Sequence, residues 1–195
     1  MGKLLTKNFF DKHPLRELSA ARLQYSLLVS PDFEEIALDL IREHNLGTSK
    51  DLACEQTISK EEDLTELLHW TRRSIPGEGR LLLRRKLLAR EQEAMPEVQR
   101  MLLTTANDFF VENALYLFVG SQEDYSGWLL DHYQQIRYSY ARSTMCLVLG
   151  FRGDASIVPF LMAQVDLMEK RWPNESFSQG PLLALHELKA RFDTV

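Results

Sequence analysis

Apolar residues recur along this chain at three- and four-residue steps, the period of amphipathic helices. The clearest stretch is Tyr138–Lys170, which reads as helix, tight turn, helix. Ala141, Thr144, Met145, Val148 and Leu149 form one apolar stripe, and Ile157, Phe160, Leu161, Val165 and Met168 form the next. Gly150 stands where a C-terminal cap is expected, since glycine takes the left-handed conformation without steric cost. Phe151-Arg152-Gly153 then makes the turn, and Asp154 is placed to accept backbone N–H bonds at the start of the second helix. Pro159 falls several residues inside that helix, where it costs stability unless the helix starts later.

The same reading gives the rest of the chain. Leu15, Leu18, Ala21 and Leu28 predict a helix over 14–29, and Phe33, Ile36, Leu40 and Ile41 one over 32–46 that Gly47 closes. A short helix is expected at 49–55, followed by a polar turn. Ser59 with Glu62 resembles a capping box leading into a helix that ends at Trp70. Arg72-Arg73-Ser74-Ile75-Pro76-Gly77 is the strongest break. A basic helix is expected over Glu78–Gln92, then a short one over 96–105 opened by Pro96. Asn107 or Asp108 caps the helix that follows. The expectation is a single domain, 1–195, with irregular N-terminal helices over 1–76 and clearer repeats over 77–195.

The repeats come from self-similarity. Shifted by thirty residues, Val111–Asp124 (VENALYLFVGSQED) lies on Ala141–Asp154 (ARSTMCLVLGFRGD) without a gap, pairing Gly120 with Gly150 and Asp124 with Asp154. A third unit, Gln179–Arg191, keeps only the apolar stripe. Arg142, Leu149, Gly150, Asp154, Val158 and Pro159 carry a resemblance to the HEAT-like repeats of the bilin-lyase type, best over 108–170. That resemblance implies an all-α, right-handed superhelical stack of antiparallel helix pairs, HEAT- or armadillo-like. Most members of that family are scaffolds, a minority attach bilin pigments, and a related group removes alkylated bases from DNA.

Composition narrows the classes. Hydrophobic residues make up 45% and charged residues 26%, which fits a folded chain rather than a disordered one. A net charge of −5 gives no general affinity for nucleic acid or anionic membrane. Cys54 and Cys146 lie far apart, as free thiols in a reducing cytoplasm would. MGKLLTKNFFDKH is too short and charged for a signal peptide, and no apolar run approaches a membrane span. Met-Gly with Thr6 fits a myristoylation pattern, although a plain start explains it better.

No catalytic constellation emerges. His13, His44, His69, His132 and His186 include no pair at i, i+4, and no metal or cofactor site is expected. His132, near Asp131 and Tyr133, reads as structural, and Glu61-Glu62-Asp63 as an acidic first turn. What remains is surface. Off-stripe residues of the repeat helices, Glu112, Asn113, Tyr116, Tyr138 and Arg142, are expected in rows on a concave face, with Trp128 either there or in the core. A second candidate is the basic patch of Arg72, Arg73, Arg80, Arg84, Arg85, Lys86 and Arg90. It is either a solvated face paired with acidic neighbours or a site for phosphate or an acidic partner. The expected function is a non-catalytic scaffold that presents its concave face to a protein partner. The alternative is a nucleic-acid binder such as an alkylbase DNA glycosylase using the 72–90 segment.

Overall fold

The computed structural model describes residues 7–13, 43–44 and 49–192, and all regular structure among them is helical, with no strand. The helices are α1 (Lys7–Lys12), α2 (Ser49–Lys60), α3 (Leu64–Trp70), α4 (Gly77–Ala89) and α5 (Glu91–Thr104). They continue with α6 (Asp108–Gly120), α7 (Ser126–His132), α8 (Ser139–Arg152), α9 (Val158–Arg171) and α10 (Gln179–Phe192). Short 3-10 turns follow α7 and α8, at Tyr133–Gln135 and Ala155–Ile157. The helix expected over 14–29, nearly all of that over 32–46, and Gly47 lie outside the described residues. No described helix is long and apolar enough to cross a membrane.

Contacts divide the chain into two compact units, 24–122 and 1–23 with 123–195. In the first, α2, α4 and α6 lie side by side, and α3 packs on both α4 and α5. Arg80 meets Glu112, Arg84 meets Asn113 and Tyr116, and Leu88 approaches Gly120. Those contacts advance along α4 and α6 together, so the two helices run in the same direction. Ile58, Leu83, Val98, Leu102, Phe110 and Phe118 are fully buried and form this unit's core.

In the second unit α8 packs along α10, with α7 against α8 and α9 against α10. Its core holds Leu129, Tyr133, Met145, Val148, Leu161 and Leu185. The predicted stripes of α8 and α9 are buried as expected, apart from Phe160, which is half-buried. α1, which the apolar pattern did not anticipate, packs here. The Phe10 ring lies 4.1 Å from His186, and His13 Nδ1 lies 3.0 Å from Glu169.

Several helix ends differ from expectation, and each difference has a physical cause. Gly150 is not a cap: α8 runs on to Arg152, and Gly150 is buried against Ala184 of α10. The residue after α8, Gly153, has φ −73°, so no left-handed turn is formed. α9 begins at Val158, which puts Pro159 in its first turn, where a missing N–H costs nothing. Asp63 caps α3 in place of Ser59, accepting from the backbone N–H groups of Thr65 and Glu66 at 2.7 and 3.1 Å. Those bonds hold its carboxyl below the usual carboxylate range. Pro96 lies inside α5, on the exposed side, rather than opening a helix there. Asn107, not Asp108, caps α6 through a 2.8 Å bond from Phe110 N–H.

Candidate functional site

In the first unit α3 and α5 leave a groove of about 480 Å3 between them. Its floor is apolar, from Leu64, Leu68 and Met101. This follows from register: Leu68 belongs to the stripe that turns α3 inward, and Met101 stands on the edge of the α5 stripe that buries Val98 and Leu102. Thr65, His69 and Arg72 rise on one wall, and Glu97, Arg100 and Thr104 on the other. The Arg100 guanidinium pairs with Glu97 at 2.8 Å, and His69 lies 3.7 Å from Glu66.

The loop 71–76 borders this groove at Arg72, and its backbone is held by side chains from α6 and the α6 cap. The Asn113 amide donates to Thr71 O at 2.9 Å, and the Asn107 amide donates to Arg72 O at 3.1 Å. Thr71 and Ile75 are buried, whereas Arg72, Arg73 and Ser74 are exposed. Arg72 lines the groove. Arg73 lies with its guanidinium 4.6 Å over the Trp70 ring, and it borders a second, smaller cleft of about 40 Å3 with Arg80, Phe109 and Glu112.

The residues singled out in the sequence have more varied placements. Glu112, Asn113 and Tyr116 come together with Arg80 and Arg84, between α4 and α6. Arg80 lies 3.8 Å from Glu112, and the Arg84 guanidinium lies 3.4 Å over the Tyr116 ring. Burial raises the Tyr116 phenol above its ordinary value. Asn113, expected in a surface row, is only 2% exposed, because its amide holds the ends of α3 and α6 in place. Tyr138 and Arg142 belong to the second unit. Tyr138 precedes α8, half-buried, its ring 6.1 Å from that of Tyr140. Arg142 donates to Ile136 O at 2.6 Å and Gln134 O at 2.9 Å, closing the 3-10 turn after α7.

The basic segment also divides. Lys86 donates to the carbonyls of Ser59 and Glu61, both at 2.7 Å, and to the Glu62 carboxylate. Arg90 bonds Glu62 O and Glu93, and Arg84 is 4% exposed. Arg72, Arg73 and Arg85 keep exposed side chains. The groove itself was missed in the sequence, although His69 and Arg72 stand one turn apart at a helix end, and Glu97, Met101 and Thr104 repeat at helical spacing.

Among the described residues no group of three His, Cys, Asp or Glu side chains could hold a metal ion. Burial pushes the Cys146 thiol up to about 12, so it is protonated and a poor nucleophile. Its neighbour, the Tyr133 hydroxyl, lies 3.3 Å away and donates to Arg142 O at 3.1 Å. His132 is structural: its Nδ1 lies 2.9 Å from Trp128 O, and its ring stacks on the half-buried Trp128. No protein-family model, curated protein or solved structure matches the chain.

Proposed function

We propose that the protein is a non-catalytic binding protein that holds a protein partner in the groove between α3 and α5. The observation that carries this reading is the groove's construction. An apolar floor lies between polar walls, bordered at Arg72 by a loop that the Asn107 and Asn113 amides hold in place. Sites of this kind gain affinity from apolar anchors and orientation from a few fixed polar groups.

Each unit is, in this proposal, a HEAT-like stack of helical hairpins with a right-handed superhelical path. Three features support it. Alternate helices run side by side in the same direction, as α4 and α6 do. α4, α6 and α8 begin at Gly77, Asp108 and Ser139, each 31 residues after the last. Asp124 and Asp154, paired in the repeat, accept the N–H of Ser126 and Ser156 at 2.9 and 2.7 Å, so both turns use one local device.

Affinity capture from native cell lysate tests the binding role, with nuclease present and Thr104→Trp as the groove-filling control. Thr104 is exposed at the end of α5, so an indole there fills the groove without disturbing the core. Retention of one protein by the native chain, and its loss with Thr104→Trp, is the expected result. Equal retention by both chains, retention that nuclease removes, or no retention at all overturns the proposal.

A further inference from the structure

Resting on that reading, we infer that the groove selects a segment carrying acidic residues next to an apolar anchor, and that Arg72 and Arg73 read those carboxylates. The loop that presents them is already ordered. Thr71 Oγ1 donates to Leu68 O at 2.6 Å, Thr71 O and Arg72 O each accept an asparagine amide, and Ile75 is buried beside Gly79. A ligand therefore meets a fixed backbone, and little conformational entropy remains to be lost there.

The side chains are differently prepared. The Arg73 guanidinium lies 4.6 Å over the Trp70 ring, a contact that restrains it, and a guanidinium carries its N–H donors on the edge of its plane. That edge is the fork that matches a carboxylate with two parallel hydrogen bonds. Arg72 lines the groove together with Leu68 and Met101. An apolar residue seated on that floor brings an adjacent Asp or Glu to Arg72. A second acidic residue further along the segment reaches Arg73 across the loop. Phe109, 44% exposed beside the Arg73 cleft, offers cover to another apolar side chain.

Charge in the rest of the groove agrees with two carboxylates rather than a long polyanion. Arg100 is already matched by Glu97, and Arg80 lies against Glu112. Further along the basic segment, Arg84, Lys86 and Arg90 bond within the unit, so no continuous track of free cations leads away from Arg72 and Arg73. A nucleic-acid strand needs such a track to bind at physiological salt. An acidic peptide does not.

A random peptide library displayed on phage, panned on the full-length chain, tests this. The enriched sequence is then synthesised, together with a form in which Gln replaces every Asp and Glu. Both are titrated against the native chain, against Arg72→Gln with Arg73→Gln, and against Thr104→Trp. Both arginines are exposed, so the double variant keeps its fold, which its circular dichroism and melting temperature check. Enrichment of Asp or Glu beside Leu, Phe or Ile is expected. Affinity should fall at least about tenfold on neutralising either the peptide or the arginine pair, the scale of one or two charge-assisted hydrogen bonds. Peptides without acidic residues that bind native and double-variant chains equally, yet not Thr104→Trp, overturn the arginine inference and leave the groove standing. No enrichment at all, or enriched peptides indifferent to Thr104→Trp, removes both. Displacement of the peptide by short single-stranded DNA at physiological salt also overturns the inference, in favour of a nucleic-acid ligand.

Discussion

A methyl group added at Gly150 would lie 2.6 Å from Ala184 Cα and 2.9 Å from its carbonyl oxygen, so α8 and α10 cannot keep their separation with any other residue there. Backbone cannot yield as a flexible side chain can, and Gly150→Ala is expected to destabilise the second unit by about 1–3 kcal/mol. Gly127 is the contrast: nothing lies within 4 Å of its added Cβ, so Gly127→Ala should leave stability unchanged or raise it by up to about 1 kcal/mol. Thermal denaturation of the two variants beside the native chain checks both, and similar melting temperatures would show that α10 does not approach α8 this closely. Cys146 gives a second prediction at this scale. Its folded thiol keeps its proton to about 12, whereas its ordinary value is 9.0, so the folded state holds the extra proton over that window. Stability should therefore fall as pH rises through it. Tyr133, raised by burial from 10.0, adds to the fall only above its own ordinary value. Urea melts at pH 9 and 10 should show a shallower decline for Cys146→Ala, and parallel declines would mean that water reaches the thiol.

Apart from α1, the helices were legible as elements where they bury a stripe of their own, and a stripe needs no knowledge of what covers it. Their ends were less so. Lys86 closes α2 from 27 and 25 residues away, and the Arg191 guanidinium reaches Gly150 O and Gly153 O at the end of α8 across 41 and 38 residues. A helix C-terminus carries unpaired carbonyls and a partial negative charge, which cations from another helix satisfy as well as a glycine turn does. In sequence such a cation looks like one that faces water. That ambiguity made 72–90 read as a single patch and placed Arg142 on a presented face. Gly150 misled for a related reason, since close approach between helices and a left-handed turn both call for glycine. Arg142 tests the capping role directly. Arg142→Leu leaves Gln134 O and Ile136 O without their donor and should cost about 1–3 kcal/mol. Arg142→Lys should recover only part of that, because an ammonium cannot span both carbonyls as a planar fork does. Melting temperatures in the order native, Lys, Leu are expected, and a Leu variant as stable as native would show that the bonds contribute nothing.

For the molecule as a whole, the all-helical class could be read from the chain because its clearest apolar stripes recur at three- and four-residue steps. The groove between α3 and α5 could not, because its two walls come from helices whose surface residues carry no shared motif. Its floor also belongs to stripes that already explain themselves as core. Net charge was readable too, and it bears on the choice of partner. At −5 overall, and with Arg84, Lys86 and Arg90 bonded within the first unit, the basic residues left exposed in the 72–90 segment are Arg72, Arg73 and Arg85. Each phosphate neutralised on single-stranded DNA releases counterions and steepens the salt dependence by about 0.7 in the logarithmic slope. Three contacts from that segment therefore predict a slope of about −2, with binding lost by about 0.15 M salt. Fluorescence anisotropy of a short labelled strand over a salt series measures that slope. A value near −4 or steeper requires about six phosphate contacts, twice what the three exposed arginines of that segment supply. It would mean that Lys86 and Arg90 leave the end of α2 to meet the strand, and the alternative of a nucleic-acid binder would then displace the protein-binding reading.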